Sequence, residues 1–147
     1  MKQRLSSVQH AYLAGFIDGD GSIYVQAKPN AAYRYGFQIT SYIVLFQSAK
    51  SKQHFVTLCA LIGTGYMRER KDGILEYIIN KQEAIRELLG GIRPYAVLKS
   101  KQIALMLKIL ERKICVRSKR DFRELLRLVD QFRELNYSKK RKYRLTP

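Results

Sequence analysis

Acidic residues are scarce in this chain. Twelve Asp and Glu stand against 28 Lys and Arg, a formal net charge of +16. No carboxylate at all lies between Asp20 and Glu69. A small domain so charged repels itself unless a polyanion neutralises it. Nucleic acid is therefore the default partner and an anionic membrane surface the second; an acidic small substrate does not need this much charge. Long apolar runs are missing too. Runs such as residues 43–46 and 103–107 fall far short of a membrane span. Met1-Lys2-Gln3-Arg4 leads into polar residues and not into the apolar stretch of a secretory signal. Cys59 and Cys115 lack CxxC spacing, so they read as plain thiols in a reducing compartment and not as zinc ligands or a disulfide.

What is present suits one domain. The 147 residues are 46% hydrophobic, enough for one core and too few residues for two. Ser6 or Ser7 can cap a helix that runs to about Gly19. Residues 21–28 read as a strand ended by Pro29-Asn30, and residues 35–47 as a long strand rich in β-branched and aromatic side chains. Phe55, Leu58, Cys59 and Ile62 fall at helical spacing, closed by Gly63. Lys71-Asp72-Gly73 turns a hairpin between residues 66–70 and 74–80. Asn80 with Glu83 predicts a capping box for a third helix, which Gly90-Gly91 should end. Residues 99–113 and the stretch capped by Ser118 with Asp121 are further helices. The order α-β-β-α-β-β-α, then helical, predicts an α+β fold, an antiparallel sheet with helices on one face. No segment recurs, so the chain is a single domain over 1–147.

Alternation assigns the two sheet faces. Ile23, Val25, Ile39 and Ile43 fall on odd positions. Tyr24, Gln26, Lys28, Gln38, Thr40 and Tyr42 fall on even ones, which points them to solvent. A two-stranded ribbon fits the DNA major groove, and these side chains can read base edges. The basic tail Lys139-Lys140-Arg141-Lys142 suits phosphates.

The first helix carries the chemistry. Ala11, Gly15 and Gly19, at i, i+4 and i+8, form a small-residue stripe that lets another backbone approach. Asp18 and Asp20 lie at the helix C-terminus, where the dipole disfavours anions, so a compensating charge such as a divalent cation is expected. Two residues apart, they point to different sides, and only one reaches a shared site.

Leu13-Ala14-Gly15-Phe16-Ile17-Asp18-Gly19-Asp20-Gly21, followed by Ser22-Ile23-Tyr24, resembles the signature of the LAGLIDADG homing endonucleases. The resemblance continues through Gln26, Lys28-Pro29-Asn30, Gln47, Gly63, Gly65-Tyr66, Arg68, Arg70, Pro94, Lys99 and Lys101-Gln102. It is strongest to the small single-motif, homodimeric members encoded in organellar group I introns. It implies a saddle-shaped sheet, a homodimer through the signature helix (Ala11, Tyr12, Gly15, Phe16, Gly19), and a chloroplast or mitochondrial origin. It implies sequence-specific, Mg²⁺-dependent cutting of double-stranded DNA at a long pseudo-palindromic target. Mn²⁺ would substitute, and Ca²⁺ would support binding without cutting. Asp20 matches the metal-binding acid, with the Gly19 carbonyl beside it; Gln47 and Lys99 match the residues near the metal-bound water. Ser51 stands where the family commonly has Arg or Lys, with Lys50 and Lys52 flanking it as candidates for that peripheral site. The candidate DNA contacts are Tyr24, Gln26, Lys28, Asn30, Tyr33, Gln38, Thr40, Tyr42, Arg68, Arg70, Glu76, Ile78 and the four basic tail residues. Two alternatives stay open on sequence: a group I intron RNA maturase or a non-cutting DNA-binding relative of the same fold, and a structural RNA-binding protein.

Overall fold

The computed structural model describes residues 4–136; the basic tail at Lys139, Lys140, Arg141 and Lys142 lies outside them. Helix α1 (Ser7–Asp20) begins at Ser6, whose hydroxyl accepts from the Gln9 N–H while the Gln9 side chain accepts from the Ser6 N–H. Strands β1 (Gly21–Pro29), β2 (Phe37–Ser48), β3 (Tyr66–Glu69) and β4 (Ile74–Ile79) form one antiparallel sheet in the order β1-β2-β4-β3. The second strand starts two residues later than predicted, because Tyr35 and Gly36 (φ 81°) belong to the hairpin turn; there Gly36 accepts from the Asn30 N–H at 2.8 Å. Between β2 and β3 a short 3-10 turn (Ala49–Ser51) leads into α2 (Lys52–Ile62), which Gly63 ends in the left-handed region (φ 68°). Three more helices follow: α3 (Gln82–Ile92), α4 (Ser100–Ile114) and α5 (Lys119–Glu134).

The odd positions of the sheet do face the core. Ile23, Val25, Ala27, Ile39, Ile43 and Leu45 are buried against Leu13 and Ile17 of α1, Ile85 and Leu89 of α3, Met106 and Leu110 of α4, and Phe132 of α5. Each fully buried large side chain contributes about 1.5–3 kcal/mol. Phe122 anchors the start of α5 on the β1–β2 hairpin, its ring stacking 5.1 Å from Tyr35 and 6.2 Å from Phe37. Cys59 and Cys115 are free thiols; burial pushes that of Cys59 up to about 12.

Two predicted boundaries of α3 are wrong. Lys81, not Asn80, precedes the helix, and it makes no side-chain cap. Gly90 and Gly91 lie inside the helix, which ends at Ile92. The reason is tertiary. A Cβ on Gly91 would overlap Nε2 and Cδ2 of His10, so the glycine is where α1 lays an imidazole on the α3 backbone. The helix tolerates about 1 kcal/mol of poor propensity there for that close packing.

Candidate functional site

The signature residues sit where α1 passes into β1. Leu13, Ala14 and Ile17 face the core, whereas Ala11, Tyr12, Gly15 and Gly19 face out, with Phe16 half-buried against Phe55 (centroids 6.2 Å apart). A Cβ on Gly15 or Gly19 would meet nothing within 4 Å, so nothing among the described residues of this chain requires either to be glycine. Val8 extends the same outward face and is 80% exposed. Gly21 differs: a Cβ there would lie 2.7 Å from the Ile17 Cα, so the helix-to-strand turn excludes any side chain.

The two acids diverge. Asp18 turns to the start of α4, where its carboxylate accepts from the N–H groups of Val97 (2.7 Å), Leu98 (3.1 Å) and Lys99 (3.0 Å). The Lys99 ammonium donates to the Asp18 carbonyl at 2.8 Å. N–H groups of the loop that leads into α4 and the negative end of α1 thus satisfy each other. Burial pushes the Asp18 carboxyl up, but these backbone hydrogen bonds and the Lys99 charge outweigh it and hold the group below 3.8. The expected cation is therefore not needed at Asp18, whose compensation comes from α4. Asp20 is exposed, and among the described residues nothing pairs with its carboxylate.

Gln47 and Lys99 come to the same end of the sheet. The pairing Gly21↔Leu45 carries Gln47 past the start of β1 to the level of the α1 terminus. Its Oε1 accepts from the Ser48 N–H at 2.9 Å, which leaves its Nε2 as the donor. Lys99 is bonded to the residue two before Asp20. Lys50 and Lys52 are exposed beside this end, and the Ser51 side chain caps nothing at α2. The donors offered to a metal are oxygens, the Asp20 carboxylate and the Gly19 carbonyl, which suit Mg²⁺ or Ca²⁺. Among the described residues no cluster of three or more His, Cys, Asp or Glu exists, so these residues of one chain supply only part of a coordination shell.

The even face of the sheet carries the candidate contacts. Lys28 pairs with Gln38, Gln26 with Thr40 and Tyr24 with Tyr42, whose rings stack 4.9 Å apart. Asn30 holds the hairpin tip through its Oδ1, which accepts from the Ala32 N–H at 3.0 Å, and Tyr33 is exposed there. Arg68 lies opposite Glu76, and its Nε and Nη2 both donate to Oε2 of that carboxylate. Arg70 pairs with Asp72 at 2.6 Å and reaches Glu76 at 3.8 Å. Glu76 and Ile78 are buried, so within the candidate set Glu76 acts through its arginines. Sequence reasoning missed Val44 and Phe46 on this face by counting only polar side chains; the same period of two places them there. The Asp18 clamp on α4 had no local signal at all.

Residues 13–111 match the LAGLIDADG endonuclease family model. The DNA endonuclease I-CreI of Chlamydomonas reinhardtii is 38% identical over 132 residues, 89% of this chain and 80% of that protein. The DNA endonuclease I-CvuI of Chlorella vulgaris is 32% identical over 107 residues, 71% of this chain and 65% of that protein. A crystal structure of the homing endonuclease I-CvuI in complex with the I-CreI target superposes with a TM-score of 0.84 at 28% identity, covering 92% of this chain and 86% of that one. With the signature helix, the α-β-β-α-β-β-α order and the exposed Asp20 all in place, the chain belongs to the LAGLIDADG endonuclease family.

Proposed function

We propose that this chain is a site-specific homing endonuclease that cuts both strands of a long, pseudo-palindromic DNA target as a homodimer, using a divalent metal. The observation that carries this reading is Asp20, exposed and without a partner among the described residues. It stands at the tip of a helix whose outward face is Ala11, Gly15 and Gly19, beside a sheet face whose described carboxylate, Glu76, is held by Arg68. The relatives support it: I-CreI and I-CvuI are DNA endonucleases, and I-CvuI has been crystallised on DNA with Mg or Ca.

Two copies packing α1 on α1 across the small stripe would bring two Asp20 carboxylates together and complete the oxygen donor set. A bound Mg²⁺ supplies the activation of water and the stabilisation of the leaving 3′ oxygen. Mn²⁺ would serve in its place, whereas Ca²⁺ would support binding alone. Asp20 provides the anion that holds the ion. The Gln47 Nε2 donates to water or phosphate. Lys99 adds a positive charge that is fixed in place, because its ammonium is bonded to the main chain beside Asp20. The family resemblance supports a location in a chloroplast or mitochondrion.

The test is direct. Duplexes are selected from a randomised library by binding in Ca²⁺ and then moved to Mg²⁺ or to EDTA. Cleavage in Mg²⁺ alone is expected. Binding with no cleavage in Mg²⁺ or Mn²⁺ would leave a binding protein of the same fold, and selection of RNA over DNA would favour a maturase.

A further inference from the structure

The even face of the sheet is two surfaces with different chemistry. Toward the β1–β2 hairpin it offers amides, a hydroxyl and an ammonium, in the rows Gln26↔Thr40 and Lys28↔Gln38. Toward Asp20 the rows change. One reads Ser22, Val44, Ile78, Tyr66 across the four strands, and the next reads Phe46, Glu76, Arg68. Val44 is 4% exposed and Ile78 7%. Among the described residues they are the two buried hydrophobics that do not join the main core. Around them the register sets Tyr24, Tyr42, Tyr66 and Phe46. Tyr24 and Tyr42 are stacked, and Tyr24 feels the charges of Glu76 and Arg68, so the aromatics and the ion pair form one cluster. This end of the face is therefore a small apolar platform, with its described carboxylate consumed by Arg68.

Resting on the proposal that this face binds DNA, we infer that the platform reads the C5-methyl groups of thymine in the part of each half-site next to the cutting site. The methyl is the one apolar group a base edge shows in the major groove. A polar edge pressed on Phe46 and on the aromatic rings set around the buried Val44 and Ile78 would lose water without gaining a partner. Arg68, held by Glu76 through its Nε and Nη2, supplies a guanine contact beside the platform, and the outer Gln26, Lys28 and Gln38 read by hydrogen bonds.

The deciding arm of the test alters the DNA and not the protein, so folding cannot confound it. A duplex selected in Ca²⁺ is remade with uracil, which lacks only the methyl, at each thymine in turn, and binding to the full chain is measured. Selected duplexes should carry A·T pairs in the inner part of the half-site, and uracil there should weaken binding about three- to five-fold per methyl. Uracil in the outer part should change binding less than about two-fold, because hydrogen bonds and not methyl burial carry the reading there. Phe46→Ser should shrink the inner penalty while leaving the outer preference intact. A flat uracil scan over the inner positions, or inner half-sites selected with no A·T pair at all, overturns the inference while the DNA-binding reading stands. Failure to enrich any duplex overturns both.

Discussion

At the scale of single residues, two aspartates two positions apart do opposite work. Asp20 is exposed and has no partner among the described residues, so Asp20→Asn keeps the shape and removes the charge a metal needs. Strand cleavage in Mg²⁺ should fall by orders of magnitude. Duplex binding in Ca²⁺ should persist or tighten, since a like-charge pair near phosphates is gone. Near-normal cutting by this variant would remove Asp20 from the chemistry. Asp18 belongs to stability, because its carboxylate collects the N–H groups of Val97, Leu98 and Lys99. Asp18→Asn should cost about 1–2 kcal/mol, allowing for partial exposure, as read from urea midpoints at pH 7. The pH dependence has a definite sign. The folded carboxyl sits below 3.8, so the clamp contributes fully above that value and is lost as pH falls through the lower folded one. The gap between wild type and Asp18→Asn should therefore narrow as the medium is made more acidic than that value; a gap that does not change on acidification would show that the clamp is not ionic.

At the scale of elements, the contact of α1 with α3 turns on one glycine. The His10 ring occupies the place of a Gly91 side chain, its Nε2 lying where a Cβ would have to go. Gly91→Ala alone pushes aside the end of a side chain that can rotate, and should destabilise by about 1 kcal/mol, the low end for overpacking. In a His10→Ala background the same change should be neutral or stabilising by up to about 1 kcal/mol, because alanine is the better helix former. A thermodynamic cycle over the two positions measures this coupling, and additive effects would rule the contact out. The α1–β1 junction is stricter. At Gly21 the obstacle is the Ile17 backbone, which cannot rotate away.

At the scale of the whole molecule, the outward face of α1 has room that one chain does not use. Gly15→Val has space in the monomer, so monomer folding should survive. The dimer proposed above should weaken by about 1–3 kcal/mol, roughly five- to 150-fold. Sedimentation of Gly15→Val as a full dimer with unchanged DNA affinity would remove this helix from the interface. The +16 charge sets the salt behaviour. Neutralising Lys139, Lys140, Arg141 or Lys142 should each free one phosphate per half-site. The salt slope should then fall by about one for each such phosphate, with base preference unchanged.

Local chemistry was enough to place most of this molecule. The charge excess, the period of two in β1 and β2, the Lys71-Asp72-Gly73 hairpin, the Ser6 and Ser118 caps and the signature motif are all written within a few residues of where they act. They determined the fold class, the two faces of the sheet and the divergence of Asp18 from Asp20. Tertiary structure decided what depends on distant neighbours. Gly90 and Gly91 look like a helix stop until the helix runs on to Ile92 with His10 from α1 lying over Gly91, and packing then overrides propensity. Asp18 looks like an uncompensated anion at a helix end until the backbone leading into α4, some 80 residues on, supplies its hydrogen bonds. In each case the deciding contact joins segments far apart in the chain, and no window of sequence contains both partners.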